Sequence, residues 1–173
     1  MISAIVAVDN DWGIGFNGEL LERIPEDLKY FKSMVEGKVL IMGRKTWDSL
    51  PQRVFSQRDC IIISSQCKNI ITIPNTRSAY MSFDRALKAL QNETFRSLDE
   101  KDLDIMIIGG GQIYKQLLPL CKKVYVTKIY KKHENIDAFF PNLDETDEWK
   151  AIPVSDVREY NDISYQFWVY ERV

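Results

Sequence analysis

Asp27 stands where an acidic residue can carry out acid/base chemistry. The spacing of apolar residues predicts a helix over 25–35, and at about 100° per residue Asp27 lies within about 40° of Phe31 on its apolar face. Glu26 lies toward the side shared with Ser33. An apolar wall dehydrates a carboxyl group and raises its pKa toward neutrality, where acid/base catalysis operates. Asp27 is therefore a candidate catalytic residue, although the helix dipole alone also favours an acid in the first turn.

Two turns from a strand into a helix have the composition of phosphate sites. One strand ends at Gly43, before Arg44 and a helix, and another ends in the glycine run 109–111. Backbone N–H groups at the start of a helix attract anions, and an arginine adds a two-pronged donor. The turn at Gly43 alone is more often an ordinary strand-to-helix turn with exposed basic residues. Together the two turns indicate a ligand with phosphates that lies across the carboxyl ends of the strands.

Ser64 and Ser65 follow a third predicted strand, at 60–63. With Arg44 they could hold a 2′-phosphate, although a plain serine turn fits the spacing as well. Tyr114 occupies the position of the third glycine in the G-x-G-x-x-G fingerprint. This departure argues against a standard Rossmann domain.

The elements that position these residues alternate between strands and helices. Strands are predicted at 2–8, 39–42, 60–63, 70–73, 105–108, 124–130 and 165–170. Helices are predicted at 25–35, 45–50, 82–91 and 112–118, with Pro119 as a stop. Continuously apolar strands indicate an α/β sheet covered on both faces, and the mixed pattern of 165–170 predicts an edge strand. The polar stretches 91–104 and 142–149 are expected to be surface connections.

The composition indicates one domain that needs neither disulfides nor a structural metal to fold. A chain of 173 residues with 45% hydrophobic residues can bury a sufficient core. A net charge of −2 gives no reason to expect nucleic acid or a membrane as partner. The N-terminus lacks the features of a signal peptide and no apolar run approaches a membrane span, so we expect a cytoplasmic protein.

Cysteine and histidine usage argues against a metal site. Cys60, Cys67 and Cys121 form no C-x-x-C pair, which fits a reducing compartment and three structural thiols. His133 is the only histidine and lies in a polar run, where an exposed loop histidine is expected. A histidine-based triad or a multi-histidine metal site is therefore not expected.

Five motifs follow one another in an order shared with a known enzyme family. They are GIG at 13–15, IPEDLKYFK at 24–32, IMGRKTWDSL at 41–50, IGGGQIY at 108–114 and DAFFP at 137–141. With these motifs the chain resembles the dihydrofolate reductase family from Met1 to Val173. The resemblance implies a single α/β domain over 1–173, with a mixed, mainly parallel central sheet of about eight strands and helices on both faces.

The resemblance also implies an activity. Members of the family reduce 7,8-dihydrofolate to 5,6,7,8-tetrahydrofolate with NADPH, by hydride transfer to C6 of the pterin and protonation at N5. Asp27 matches the acidic residue that binds the 2-amino and N3 side of the pterin and promotes this protonation, and Thr127 matches the threonine that supports it. The residues that match substrate-binding positions are Ile5, Ala7, Asp27, Leu28, Phe31, Leu50, Arg58 and Thr127. A monomer is expected.

The positions that match the cofactor site are spread over five segments. They are Ala7, Gly13, Ile14, Gly15, Gly43, Arg44, Lys45, Thr46, Ser64, Ser65, Ile108, Gly109, Gly110, Gly111, Gln112, Ile113 and Tyr114. In the family the first two glycines of the glycine run are joined by a cis peptide bond, which is expected here at Gly109-Gly110.

The chain departs from the family pattern at two places. Leu21 and Glu22 replace a common Pro-Trp pair before the catalytic helix. If Glu22 points inward, like-charge repulsion would raise the pKa of one of the two carboxyl groups, whereas in solvent it would change little. Gln57 stands where a glycine usually precedes the arginine that binds the substrate's glutamate tail, and Ile136 replaces a loop glycine of some members.

Two other functions remain open at the level of sequence. A pyrimidine reductase of riboflavin synthesis would share the architecture and NADPH, but would give no reason for Asp27 and Arg58 in these settings. A noncatalytic nucleotide-binding module would have kept the fold and lost turnover. Retention of Asp27, Thr127 and both candidate phosphate turns favours a reductase, and a turnover assay separates these functions.

Overall fold

The computed structural model describes residues 1–51, 55–91 and 103–173. The strands are β1 Ile2–Val8, β2 Gly13–Phe16, β3 Glu19–Leu20, β4 Val39–Gly43, β5 Cys60–Ile63, β6 Ile71–Thr72, β7 Ala79–Met81, β8 Ile105–Gly109, β9 Lys123–Ile129, β10 Ala138–Phe139, β11 Trp149–Pro153, β12 Arg158–Tyr160 and β13 Ile163–Arg172. The α-helices are α1 Pro25–Val35, α2 Arg44–Ser49, α3 Phe83–Gln91 and α4 Gly111–Leu117. Single 3-10 turns cover Leu118–Leu120 and Leu143–Glu145.

One large sheet organises the described chain. Its strands run in the order β11-β13-β9-β1-β8-β4-β5-β7-β6, with β12 paired to β13. The six strands from β9 to β7 are parallel to one another, whereas β13, β11, β12 and β6 are antiparallel to their neighbours. A second sheet holds β10, β2 and β3. The predicted α/β class with a mixed, mainly parallel central sheet is confirmed.

Helices cover both faces of the sheet because its central strands are apolar on both sides. On β1, Ala4, Val6 and Val8 belong to one buried cluster, which includes residues of α3 and α4. Ile5, between them, faces a second cluster together with Val35 of α1 and Trp47 of α2. The alternation of a strand therefore directs Ile5 to the face that carries α1.

The long predicted elements are confirmed, with bounds that shift by one or two residues. The prediction of an edge strand at 165–170 is wrong, because these residues lie in β13 between β9 and β11. Its mixed composition reflects partly exposed faces rather than a free edge. The short strands β2, β3, β7, β10, β11 and β12 were not predicted, since two to five residues carry little periodicity. The expected surface connection at 91–104 lies mostly outside the described residues.

Candidate active site

Asp27 and Thr127 meet across the gap between α1 and the sheet. Ile24 is buried and Pro25 opens α1, where its fixed backbone angle suits a helix start. This start directs Asp27 of the first turn toward β9. The Thr127 hydroxyl, 2% exposed, donates a hydrogen bond of 2.6 Å to Asp27 Oδ1. The structure thus brings together the two residues predicted to be catalytic.

The surroundings of Asp27 favour its protonated form. Burial raises the pKa of the Asp27 carboxyl above its ordinary value, and the hydrogen bond from Thr127 partly opposes this rise. Tyr30, one turn further along α1, also has a raised pKa, caused by burial and by the charges of Tyr125 and Asp27. A carboxyl group with a raised pKa is better suited to hold and exchange a proton than an ordinary surface aspartate.

Five other residues predicted to contact substrate lie on β1, on α1 or directly after α2. Ala7 pairs in register with Thr127 between β1 and β9. Ile5 is buried, and Phe31 and Leu50 pack half-buried against the same apolar cluster. Leu28 follows Asp27 on α1 and is half-buried. Ile5, Phe31 and Leu50 thus share one apolar cluster, while the contact of these five residues with a substrate remains a prediction.

Arg58 lies at the far end of α1 from Asp27. Its Nη1 donates to the carbonyl oxygen of Val35, the last residue of α1, at 3.3 Å. Its guanidinium group lies 5.9 Å from the centre of the Phe55 ring. Arg58 is half-buried, and its guanidinium group is a planar donor fork of the kind that binds a carboxylate. The predicted catalytic acid and the predicted tail-binding residue therefore mark the two ends of one helix.

The two predicted phosphate turns are in contact. They follow β4 and β8, which are neighbours in the sheet. A Cβ atom added at Gly110 would lie 3.3 Å from Thr46 Oγ1, and one added at Gly43 would lie 3.9 Å from the Gly110 nitrogen. The expected cis peptide bond at Gly109-Gly110 is confirmed. The structure therefore joins both turns into one surface at the carboxyl ends of the parallel strands.

Arg44 and Ser64 line a cavity of about 290 Å³ beside these turns. Arg44 Nη1 donates to Gln66 Oε1 at 2.6 Å, and its Nε lies 3.7 Å from Asp48 Oδ2. Ser64 is buried and its hydroxyl accepts a hydrogen bond from the Gln66 backbone nitrogen at 3.3 Å. Ser65 is exposed next to it. A cation and hydroxyl groups around an open cavity suit a phosphate ester.

Tyr114 packs against the glycine turn and bonds to β1. It is buried, and its hydroxyl donates to the carbonyl oxygen of Ile5 at 2.6 Å. Burial raises its pKa strongly. A Cβ atom added at Gly109 would lie 3.5 Å from this hydroxyl. Tyr114 therefore connects β1 to the glycine turn through its side chain. Among the other residues predicted to bind the cofactor, Ile108 and Ile113 are buried, whereas Lys45, Gly111 and Gln112 lie nearer the surface.

The predicted nicotinamide-side segment forms β2, which pairs with β10. A Cβ atom at Gly13 would lie 2.5 Å from Ile136 Cδ1, and one at Gly15 would lie 2.8 Å from the Glu19 carbonyl oxygen. Ile14 between them is half-buried. Both glycines are thus needed for close packing against neighbouring segments, and Ile136 fills the space above Gly13.

His133 does not occupy the exposed position that the sequence predicted. Only 13% of its side chain is exposed, because Asp9 Oδ2 and Glu22 Oε1 lie on its two sides at 3.1 and 2.9 Å. Lys131 Nζ also donates to Glu22 Oε1, at 2.7 Å. The polar residues around His133 in the sequence give no sign of these partners, because Asp9 and Glu22 come from distant segments of the chain. The Glu22 carboxylate therefore binds Lys131 and His133, which both lie in the segment after β9.

Sequence reasoning also missed the role of Asp9 and the partners of Glu26. Asp9 follows β1 and is 4% exposed, and it accepts hydrogen bonds from the Asp11 and Gly13 backbone nitrogens at 2.9 and 2.8 Å. An aspartate just after a buried strand was the available signal. Glu26 binds the Tyr165 hydroxyl and Arg158, which no local pattern indicates.

Comparison with known proteins agrees with this geometry. A family model described as dihydrofolate reductase matches residues 1–172. The dihydrofolate reductase of Sus scrofa is 36% identical over 190 residues, which cover 99% of this chain and 97% of that protein. The dihydrofolate reductase of Staphylococcus haemolyticus is 33% identical over 174 residues, covering 99% and 96%. A bifunctional dihydrofolate reductase-thymidylate synthase of Glycine max is 34% identical over 182 residues, covering 98% of this chain and 33% of its own length.

Proposed function

This chain belongs to the dihydrofolate reductase family, whose reaction yields tetrahydrofolate for one-carbon metabolism, and we propose that it uses NADPH as the reductant. The proposed reaction is hydride transfer to C6 of 7,8-dihydrofolate with protonation at N5. The observation that carries the proposal is the part-buried hydrogen bond of 2.6 Å that the Thr127 hydroxyl donates to Asp27 Oδ1. It places at the site the one carboxyl group to which the proposal assigns recognition of the pterin and promotion of N5 protonation.

Asp27 and Thr127 are proposed to bind and polarise the pterin. In its ionised form Asp27 accepts hydrogen bonds from the 2-amino group and N3 of the ring, which is a planar pair of donors. The negative charge held there increases the proton affinity of the ring, so N5 takes its proton from solvent. Thr127 keeps the carboxyl group oriented through its hydrogen bond to Oδ1. The apolar residues around it, Ile5, Ala7, Leu28, Phe31 and Leu50, limit competing water.

Arg58 is proposed to bind the α-carboxylate of the glutamate tail. Asp27 at the start of α1 would bind the pterin and Arg58 at its end would bind the tail. The length of α1 therefore sets the distance between these two binding points. An arginine is suited to this task because its planar fork matches a carboxylate. Its contact with the Phe55 ring supports the orientation of the guanidinium group.

The residues present fit NADPH, which supplies the hydride when it is bound. Arg44, Ser64 and Ser65 would hold the 2′-phosphate, with Lys45 and Thr46 beside it. The glycine turn would accept the pyrophosphate, because residues 109–111 lack side chains that would block an approach to the backbone. Ala7 and the β2 residues Gly13, Ile14 and Gly15 would border the nicotinamide. The cavity lined by Arg44 and Ser64 supports this assignment.

We further propose that residues 1–173 form one domain that acts as a monomer in the cytoplasm. A membrane-crossing helix is not found in the parts of the chain that the structure describes. The continuous sheet, which includes both the first and the last described strand, supports the single domain. Sedimentation of the purified chain tests the monomer.

The proposed reaction is tested by following absorbance at 340 nm after mixing the protein with dihydrofolate and NADPH, and separately with NADH. Fast loss of absorbance with NADPH and slow loss with NADH is expected. Equal rates with both cofactors would remove the proposed 2′-phosphate site. Turnover of a pyrimidine substrate in place of dihydrofolate would contradict the proposed substrate.

A further inference from the structure

A histidine between two carboxylates joins three segments near the active site. We name Asp9, Glu22, Lys131 and His133 the His133 clasp. His133 Nδ1 lies 3.1 Å from Asp9 Oδ2, and its Nε2 lies 2.9 Å from Glu22 Oε1. The His133 backbone nitrogen also donates to Asp9 Oδ2, at 3.1 Å. Lys131 Nζ lies 2.7 Å from Glu22 Oε1.

The contacts of the clasp are complete only when both ring nitrogens carry a proton. Asp9 already accepts hydrogen bonds from three backbone nitrogens, those of Asp11, Gly13 and His133, so both of its oxygens act as acceptors. Burial opposes ionisation of Glu22, but the hydrogen bonds from Lys131 and His133 lower its pKa overall. Two carboxylates need two donors, and only an imidazolium donates from both nitrogens.

Each segment of the clasp adjoins an element of the active site. Asp9 directly follows β1, which carries Ala7. Glu22 lies three residues before α1, which carries Asp27. His133 lies in the connection after β9, which carries Thr127. The clasp therefore links the segment before α1 to the segment after β9, the two elements that carry Asp27 and Thr127.

We propose that His133 is a positioning residue that holds α1 against β9 and so keeps Asp27 in register with Thr127 and the substrate. This inference rests on the catalytic role proposed for Asp27. Loss of a proton from His133 removes one of its two carboxylate contacts, and α1 is then held less firmly. A small misplacement of a catalytic group lowers the rate of the chemical step strongly.

The charged groups that face His133 come from both sides. Asp9 and Glu22 are the anions, and Lys131 is the cation that shares Glu22. Asp11 and Lys132 form a looser pair of 3.9 Å between the same two loops. The side chain of Lys132 is 76% exposed, so Lys132→Gln removes a charge from the same loop without disturbing the clasp.

The test compares His133→Gln with wild type and with Lys132→Gln. For each, kcat and KM are measured with dihydrofolate and NADPH across the titration of His133. In wild type that titration is followed by NMR, as His133 is the only histidine in the sequence and gives a single ring resonance. At pH values below the midpoint of this NMR titration, we expect the kcat of His133→Gln to be about tenfold lower than that of wild type. This factor corresponds to one charge-assisted hydrogen bond. Above the midpoint the ratio should approach one.

A double variant tests the route through Glu22. If His133 acts by holding Glu22, His133→Gln should cost much less in kcat when Glu22→Gln is already present. Glu22→Gln alone keeps the Asp9 contact, so it serves as the second variant should His133→Gln fail to fold. It should show the same pH-dependent loss of kcat.

Three results would overturn the proposal. They are an unchanged kcat in both variants, a loss that does not depend on the protonation of His133, or strictly additive losses in the double variant. Asp27→Asn, measured in parallel, reports on the proposed acid itself. A normal rate in Asp27→Asn would overturn the proposed function, whereas a loss there with none in the His133 and Glu22 variants would overturn only the positioning role.

Discussion

Two opposing influences act on the pKa of the half-buried Asp27 carboxyl group. Dehydration raises the pKa of Asp27, and the hydrogen bond from the Thr127 hydroxyl lowers it. The balance keeps the acid able to ionise when the pterin offers donors. The sequence predicted Asp27 because helical periodicity aims it at the apolar face. Thr127 could be named only from the family resemblance, because its partner lies 100 residues away.

Thr127→Val removes the opposing influence at nearly constant volume. The pKa of Asp27 should rise further, because the donor that stabilises the carboxylate is lost. The ionised fraction at neutral pH should fall, and the affinity for a pterin that donates hydrogen bonds should fall about tenfold, the loss expected for one charge-assisted hydrogen bond. Isothermal titration of dihydrofolate across a pH series measures both effects. Thr72→Val, at an exposed position of β6, is the matched control, and equal pH curves for the two variants would show that Thr127 does not act on Asp27.

Short local patterns predict the individual helices and strands of the site, but not how these elements are arranged around it. Strand ends at Gly43 and Gly109 were recognisable because apolar runs stop at glycine and helices follow. Their contact depends on β4 and β8 being neighbours in the sheet, which the order of elements along the chain does not specify. The His133 clasp escaped prediction for the same reason, since its partners are 124 and 111 residues away.

Arg44→Ala should weaken NADPH binding about tenfold or more and leave NADH binding nearly unchanged. Arg44 lies at the start of α2 beside the cavity that Ser64 lines, and a charge-assisted bond to a phosphate contributes about 1.5–3 kcal/mol. Fluorescence titration with each cofactor gives the two affinities. Arg85→Ala, an exposed arginine on α3, should leave both unchanged. Equal losses of affinity for NADPH and NADH in Arg44→Ala would instead mean that Arg44 contacts the pyrophosphate or is needed for folding.

The whole sheet depends on contacts that no local pattern reveals. Composition and apolar runs predicted an α/β fold, because strands with two apolar faces require helices on both sides. The position of β13 inside the sheet was not predictable from its mixed residues, since burial by β9 and β11 is a property of the assembled molecule. Tyr114 likewise joins segments 109 residues apart, through its hydrogen bond to the Ile5 carbonyl.

Tyr114→Phe should destabilise the whole molecule. The Ile5 carbonyl oxygen would lose its buried donor, which costs about 1–3 kcal/mol. For a chain of this length each kcal/mol lowers Tm by about 2–4 °C. Thermal melting measures the loss, with Tyr130→Phe as control because the Tyr130 hydroxyl bonds to Gln166 at the surface. An equal Tm for wild type and Tyr114→Phe would mean that this buried hydrogen bond contributes nothing.

The pH dependence of turnover in Asp27→Asn is the most direct test of the proposed mechanism. At neutral pH the variant should bind NADPH normally and turn over dihydrofolate about 100-fold to 10,000-fold more slowly, the range for loss of a catalytic acid or base. Its rate should rise as the pH is lowered, because solvent then supplies more substrate already protonated at N5. A variant rate equal to that of wild type at neutral pH would contradict the role of Asp27 and with it the proposed mechanism.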